Sequence, residues 1–351
     1  MIIPHGREQQ RRSLTGWRRT TRLLQALLAL SVFAAVWAVG FSGDSDLEAA
    51  PVVPETESQF SLNLKVIDAA DQDLVYAVEQ RARPYYRIFS LEPRTGTVET
   101  VFTVPDDAII FGIALNPAND KLAVAYSPDF TLEGSGIWTF DLEDQTLTEV
   151  APVTTGVYLT EVNWSPDGDS ILATHVDRRS ADEALSIARV DAESGSVDIL
   201  QADAIAPIQV EDSVYYLAVD ESKARRSIGV LDATGTSSTI TVGDASYDLD
   251  HLLVGRDKET VRVAILEPEE GGITFGEPAS AHGNHDVASS WWDVSVQANE
   301  TPAATGLEPI TVYDAATSGD AIIYATNEGL SVGNTDRIDL IKSRAIRFVA
   351  S

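Results

Sequence analysis

The sequence predicts an all-β chain built as a β-propeller and preceded by one N-terminal hydrophobic helix. Three observations carry this. No long amphipathic helical pattern follows Phe60, one strand-and-turn unit returns six times, and a single charge-free stretch is flanked on one side by arginines.

Residues 1–22 hold Arg7, Arg11, Arg12, Arg18, Arg19 and Arg22 against one acid, Glu8, and 23–41 then runs without a charge. As a helix rising ~1.5 Å per residue, that run is roughly 28 Å long, close to the hydrocarbon thickness of a bilayer. The arginine flank puts 1–22 in the cytoplasm and everything after Phe41 outside. The expectation is a single-pass signal-anchor at the cell membrane. Cleavage at the small-x-small site Ala38-Val39-Gly40 would instead give a secreted protein. Residues 42–59, rich in Asp, Glu, Pro, Ser and Thr, read as an acidic linker, and 60–351 as the propeller ectodomain.

Charge and cysteine content exclude whole classes of function. The chain carries 25 Lys plus Arg against 54 Asp plus Glu, a formal charge of −29. Removing 1–41 takes away six bases and one acid, so the exported part keeps 19 bases against 53 acids. Affinity for nucleic acid comes largely from Lys and Arg neutralising phosphates, so no nucleic-acid role is expected. With no cysteine, disulfide scaffolds, thiolate zinc sites and cysteine nucleophiles are absent.

The repeated unit is an acidic or Gly-containing turn followed by a nearly unbroken apolar run. The runs begin at Leu74, Leu122, Ile171, Val214, Val261 and Ala321 and read LVYAV, LAVAY, ILAT, VYYLAV, VRVAIL and AIIYA. Unbroken apolar runs, in place of strict alternation, mark strands covered on both faces, as when sheets stack on one another. A strand precedes each run, such as 110–115 or 157–164, and in the first four units a more alternating strand follows and turns into another. Four antiparallel strands per period of about 45 residues is the pattern of a propeller blade. Six blades are expected, or seven if the long fifth interval, with its insertion-like stretch 267–290, conceals one. Residues 345–349 are positioned to close the ring against the first blade.

The turn Asn163-Trp164-Ser165-Pro166-Asp167-Gly168-Asp169-Ser170, running into Ile171-Leu172, resembles the aromatic-Ser-Pro-Asp-Gly turn of TolB-like blades. Leu115-Asn116-Pro117-Ala118-Asn119-Asp120-Lys121 is a looser copy. Proline presets φ, while Asp and Gly accept the remaining dihedrals of a tight turn between buried strands. The chain therefore resembles the TolB-like and WD-repeat-like β-propeller superfamily over about 290 residues. The resemblance implies a propeller fold and an extracytoplasmic protein-binding role in envelope complexes.

Local candidates for chemistry are few. Gly329-Leu330-Ser331-Val332-Gly333 has the spacing of a nucleophile elbow, but that turn needs a following helix and downstream Asp and His, and no His follows Gly333. His282, His285 and Asp286 share a Gly-rich loop and are the candidate metal ligands, since imidazoles with a carboxylate suit transition metals. No cofactor is expected otherwise, and a divalent metal is the one open provision. Asp167 and Asp169 have oxygen spacing that would suit calcium, yet they occupy the tight turn of the repeat and read as turn chemistry. Trp291 and Trp292 are the candidate binding residues, since exposed aromatics anchor ligands. In a strand, neighbours face opposite sides, so each aromatic pair, Tyr215-Tyr216 included, is expected to bury one ring and free the other.

The function that follows is a membrane-anchored extracytoplasmic scaffold that binds an envelope or membrane protein partner and touches the membrane through the N-terminal helix. Two alternatives stand beside it. One is a six-bladed hydrolase resembling lactonases and esterases, with Glu, Asn and Asp holding a divalent ion in the central channel. The other is a ligand-binding sensor.

Overall fold

The computed structural model describes residues 74–80, 86–92, 95, 97–104, 108–127, 134–179, 184–220, 225–242, 248–254, 260–266, 289–295, 303–304, 312–318, 321–326, 329–333, 337–342 and 346–350. The chain divides into units 1–59 and 60–351, and every described residue lies in the second. The stretch 23–41, the linker 42–59 and the loop bearing His282, His285 and Asp286 lie outside the described residues. No helix among the described residues is long and apolar enough to cross a membrane.

Twenty-four strands form six four-stranded antiparallel sheets among the described residues. The first holds β1 (Val75–Gln80), β2 (Tyr86–Glu92) and β3 (Thr97–Thr103). The second is β4 (Ile109–Leu115), β5 (Lys121–Ser127), β6 (Gly136–Asp141) and β7 (Leu147–Ala151). The third is β8 (Val157–Trp164), β9 (Ser170–Asp177), β10 (Ala184–Asp191) and β11 (Val197–Ala202), and the fourth β12 (Ala204–Val210), β13 (Ser213–Val219), β14 (Arg225–Leu231) and β15 (Ser237–Thr241). The fifth is β16 (Asp248–Val254), β17 (Thr260–Leu266), β18 (Ser289–Ser295) and β19 (Ala303–Ala304). The sixth is β20 (Val312–Ser318), β21 (Ala321–Thr326), β22 (Gly329–Gly333) and β23 (Arg337–Lys342), and β24 (Ile346–Ala350) ends the chain. β24 returns to the first sheet and pairs antiparallel with β1, Tyr76 opposite Ala350 and Val78 opposite Phe348. The last strand thus completes the sheet that the first strand begins.

The apolar runs of the sequence are the second strands, β1, β5, β9, β13, β17 and β21, and their side chains show why they are unbroken. Val75 and Ala77 enter one core with Ile323, Leu330 and Val332 of the sixth sheet. The alternate residues Tyr76 and Val78 enter another core with Ile113, Val124 and Phe140 of the second. The alternation repeats around the molecule: Leu122 and Val124 face the first sheet, Ala123 and Ala125 the third with Leu159 and Ile171. Leu172 and Ile187 meet Val214 and Tyr216, Tyr215 and Leu217 meet Leu252, Val261 and Val263, and Ala264 and Trp291 meet Ile322 and Tyr324. Each sheet packs on the next and the sixth on the first. Burying one such aliphatic side chain contributes about 1.5–3 kcal/mol, so two-sided burial is where this fold gains its stability.

This packing corrects one expectation from the sequence. Tyr215 and Tyr216 do face opposite sides, but both rings are buried, at 5% and 3% exposure, because both sides are covered by neighbouring sheets. Gly229, opposite Tyr216 on β14, makes this feasible: a Cβ there would overlap the Tyr216 ring. The Tyr216 hydroxyl meets Ser237 Oγ at 2.8 Å. Tyr86 is likewise buried.

Candidate functional site

Five strands, β4, β8, β12, β16 and β20, share one cavity of about 570 Å³, within the ~300–1,000 Å³ usual for ligand sites. They are the first strands of the second to sixth sheets. In each, pairing with the second strand slips, between Ile110 and Gly112, Thr160 and Asn163, Ile205 and Ile208, Leu249 and Leu252, and Val312 and Asp314. The cavity lining begins at these slips, with Phe111, Glu161, Ala206, Asp250 and Asp314, and runs along each strand toward its end, reaching the turns after β4, β8 and β12. A ring of β-bulges therefore makes the floor, and the turns between first and second strands make the rim. Bulges re-aim side chains and recur next to functional sites.

The floor is held by a carboxylate that reaches between sheets. Glu161 adopts φ 48° and Ala206 φ 52°, conformations that L-residues seldom take. The Thr174 hydroxyl donates to Glu161 Oε2 at 2.5 Å, and the Ala206 N–H donates to the same oxygen at 3.1 Å. Thr174 Oγ1 accepts from the Ala206 N–H as well, at 2.8 Å. The Glu161 carboxylate and the Thr174 hydroxyl together thus satisfy a buried backbone donor that the bulge withdraws from the sheet ladder and that would otherwise go uncompensated.

Asp250 and His251 occupy the corresponding bulge in β16. His251 Nδ1 lies 2.8 Å from Asp250 Oδ2, with the two side chains 13% and 3% exposed. Burial pulls the imidazole pKa down, but Asp250, by charge and hydrogen bond, and then Asp314 and Glu161 outweigh it and push it up to about 9. The carboxylates on its own strand, on β20 and on β8 therefore favour the charged imidazolium. The Trp291 ring lies 6.5 Å from it, centroid to centroid.

The rim is tied across sheets. Trp164 Nε1 donates to the Ala114 carbonyl at 3.1 Å, and Asn163 Nδ2 to the Pro207 carbonyl at 3.1 Å. Between β8 and β9, Ser165 Oγ lies 2.5 Å from Asp167 Oδ1 and accepts from the Ser170 N–H at 3.0 Å, while Asp167 Oδ1 also accepts from the Asp169 N–H. The Ser165 hydrogen bond, with that backbone one, holds the Asp167 carboxyl below its usual range. Gly168 supplies φ 77°. The looser copy reproduces the turn with other chemistry: Asn116 Oδ1 accepts from the N–H groups of Asp120 and Lys121 at 2.9 Å, and Asn119, at φ 59°, stands where Gly168 stands. Asp167 is thus committed to its turn, as the repeat implies.

Of the residues singled out from sequence, those that are described fall elsewhere, and His282, His285 and Asp286 lie outside the described residues. Trp291 is 1% exposed and packs between the fifth and sixth sheets, 5.9 Å from the Tyr324 ring. Trp292 is half-buried against the core between the fourth and fifth sheets. Neither lines the cavity. Ser331 of the elbow-like pentapeptide is buried within β22. Sequence reasoning missed Glu161, Asp250, His251 and Asp314. The acids precede their following apolar runs by ten, eleven and seven residues, so no fixed offset marks them. Among the described residues, no group of three or more His, Cys, Asp or Glu is arranged to hold a metal ion.

No protein-family model matches the chain, and no curated protein matches it. Solved structures do match in fold. TolB from Acinetobacter baumannii aligns with a TM-score of 0.59 at 18% identity, over 79% of this chain and 66% of that one. A chain from a nidogen/laminin complex aligns at 0.53 and 11% identity, over 79% and 97%. Oligogalacturonate lyase from Vibrio parahaemolyticus aligns at 0.50 and 12% identity, over 77% and 79%. The fold is the TolB-like β-propeller.

Proposed function

We propose that this chain is a membrane-tethered extracytoplasmic β-propeller of six blades that binds a protein partner at the mouth of its central cavity. The observation that carries the reading is the mouth itself: a cavity whose walls are fixed in advance by hydrogen bonds between sheets, with the exposed turn residues Pro117, Asn119, Pro166 and Glu211 around it. Preorganised walls lower the ordering cost of association. The arginine-flanked apolar stretch 23–41 supports the tether, and the acid excess after it supports a solvated ectodomain. Similarity in fold to TolB is compatible with an envelope partner, although propellers host many functions and the site has to carry the argument.

The test is affinity capture of the tagged full-length protein from native membranes, compared with a variant carrying Pro166→Lys and Glu211→Lys on the rim. A stoichiometric partner is expected with the unaltered protein and not with the rim variant, which should remain folded at the temperature of capture although loss of the turn proline lowers its unfolding midpoint slightly. Equal capture by both would count against the mouth.

A divalent-metal hydrolase is the second reading: Glu161, Asp250 and Asp314 come from three different first strands that line one cavity, although they are not arranged as a group that holds a metal ion. It requires a stoichiometric divalent ion in the purified protein that is lost on Asp314→Asn.

A further inference from the structure

We infer that the upper part of the cavity binds a neutral pyranose ring, free or at the end of a longer saccharide, stacked on Trp164 and held by the amides of Asn163 and Gln209. This goes beyond the partner-binding reading and stands without it. Trp164 is half-buried and lines the cavity at the end of β8. Its one polar atom donates to the Ala114 carbonyl, so the indole is pinned across the sheets and what it offers the cavity is carbon. Leu115, half-buried at the end of the neighbouring β4, extends the same apolar patch.

Two amides beside this patch have hydrogen-bonding capacity to spare. Both side chains are half-buried and line the cavity. Asn163 Nδ2 donates to the Pro207 carbonyl, while Asn163 Oδ1 pairs with nothing among the described residues. Gln209 Oε1 accepts from Arg189 at 3.4 Å, and one Gln209 Nε2 hydrogen goes to the Glu211 carbonyl at 2.9 Å, which leaves the second. A spare acceptor and a spare donor, each on a side chain anchored at another atom, are ordered in advance for hydroxyl groups, which both donate and accept. A pyranose matches the combination: the carbon-bound hydrogens of one ring face meet the negative face of an aromatic ring, and hydroxyls stand around the edge. Hydrocarbon would bury the spare amide groups unpaired. An anionic saccharide would find no Lys or Arg in the described lining. From Phe111 to Leu115 the β4 wall rises about 13 Å at ~3.3 Å per residue, deep enough for the end of a saccharide chain.

The experiment is to probe an array of neutral and uronic-acid-containing saccharides with the purified full-length protein in detergent, then to titrate the strongest ligand and its monodeoxy analogues by calorimetry. Saturable binding of a neutral saccharide is expected, with at least one monodeoxy analogue about fivefold weaker, as loss of a hydrogen bond gives. Gln209→Ala should weaken binding by about as much, and Trp164→Leu by about tenfold. Saturation-transfer NMR with irradiation of the aromatic protons should mark the hydrogens of one sugar face. The NMR and deoxy-sugar comparisons need no protein variant, so a misfolded mutant does not decide the outcome. A free monosaccharide that binds as tightly as the longer chain identifies the ring alone as the ligand, and tighter binding of the chain identifies its end. Absence of binding to every neutral saccharide would overturn the inference. So would tighter binding of the uronic-acid saccharides, transfer spread evenly over both sugar faces, or affinity unchanged in both variants, which puts the sugar outside the cavity. Capture of a partner from membranes is a separate readout, so the two readings fail independently.

Discussion

Replacing Trp291 with alanine is expected to destabilise the propeller by about 3–5 kcal/mol, the range for emptying a buried aromatic site. The side chain is among the largest of those fully buried, and it joins two sheets. Its ring neighbours are Tyr324 of the sixth sheet and His251 of the fifth. Backbone strands on either side are held by their own ladders and cannot collapse far into the space, so the cavity term adds to the lost transfer free energy. Urea unfolding followed by far-ultraviolet circular dichroism measures it, with Trp291→Phe expected to fall between the two. A loss below about 1 kcal/mol would mean the fifth and sixth sheets do not meet through this ring.

The second large effect is on pH dependence. The folded-state pKa of His251, raised to about 9, lies above the ordinary ~6.5 of an unfolded chain. The sign follows from linkage: the folded state binds the proton more tightly, so this stabilisation is fully present below about pH 6.5 and is lost as pH rises through about 9. The groups responsible are Asp250 beside it, Asp314 from β20 and Glu161 from β8, working against burial. A shift of this size is worth on the order of 3 kcal/mol. Urea midpoints taken from pH 6 to 10 should therefore decline for the unaltered protein and run flatter for His251→Gln across that window. Parallel slopes would show that the imidazole is not the group that titrates. At the low end of the range, His251→Gln should be the less stable of the two, since it leaves the Asp250 carboxylate buried beside an uncharged amide.

Much of the fold was legible because two-sided burial writes itself into sequence. The runs at Leu122, Ile171 and Val214 are unbroken for the reason the structure gives, alternate residues entering different cores. The strand expected over 157–164 has those bounds, and closure by the last residues follows from β24 pairing with β1. The same physics, carried one step further, would have buried both rings of Tyr215-Tyr216, since a strand covered on both faces has no free side.

The site was not legible, and the cause is geometric. A propeller cavity takes a residue or two from each first strand, so Glu161, Asp250 and Asp314 stand together although scores of residues separate them in the chain. Sequence inspection favours what is locally dense, and the densest cluster, His282 to Asp286, lies outside the described residues. The bulges that aim Glu161 and Asp250 carry no motif. Glu161 and Ala206 adopt positive φ without glycine, so even the usual residue signal of that conformation is missing. The rim was readable only through Asn163-Trp164-Ser165-Pro166-Asp167-Gly168, whose turn chemistry is local.

The claim at the centre is that the mouth of the cavity meets a partner, and a photo-crosslinking residue tests it most directly when placed singly at positions 119, 166 and 211 and, for contrast, at 199. Ile199 is 53% exposed on β11, the last strand of the third sheet, away from the mouth. Irradiation of native membranes should yield one partner adduct from the three rim positions and none from position 199. Adducts from position 199 alone would contradict the claim and move the binding surface to the outer edge of the sheets.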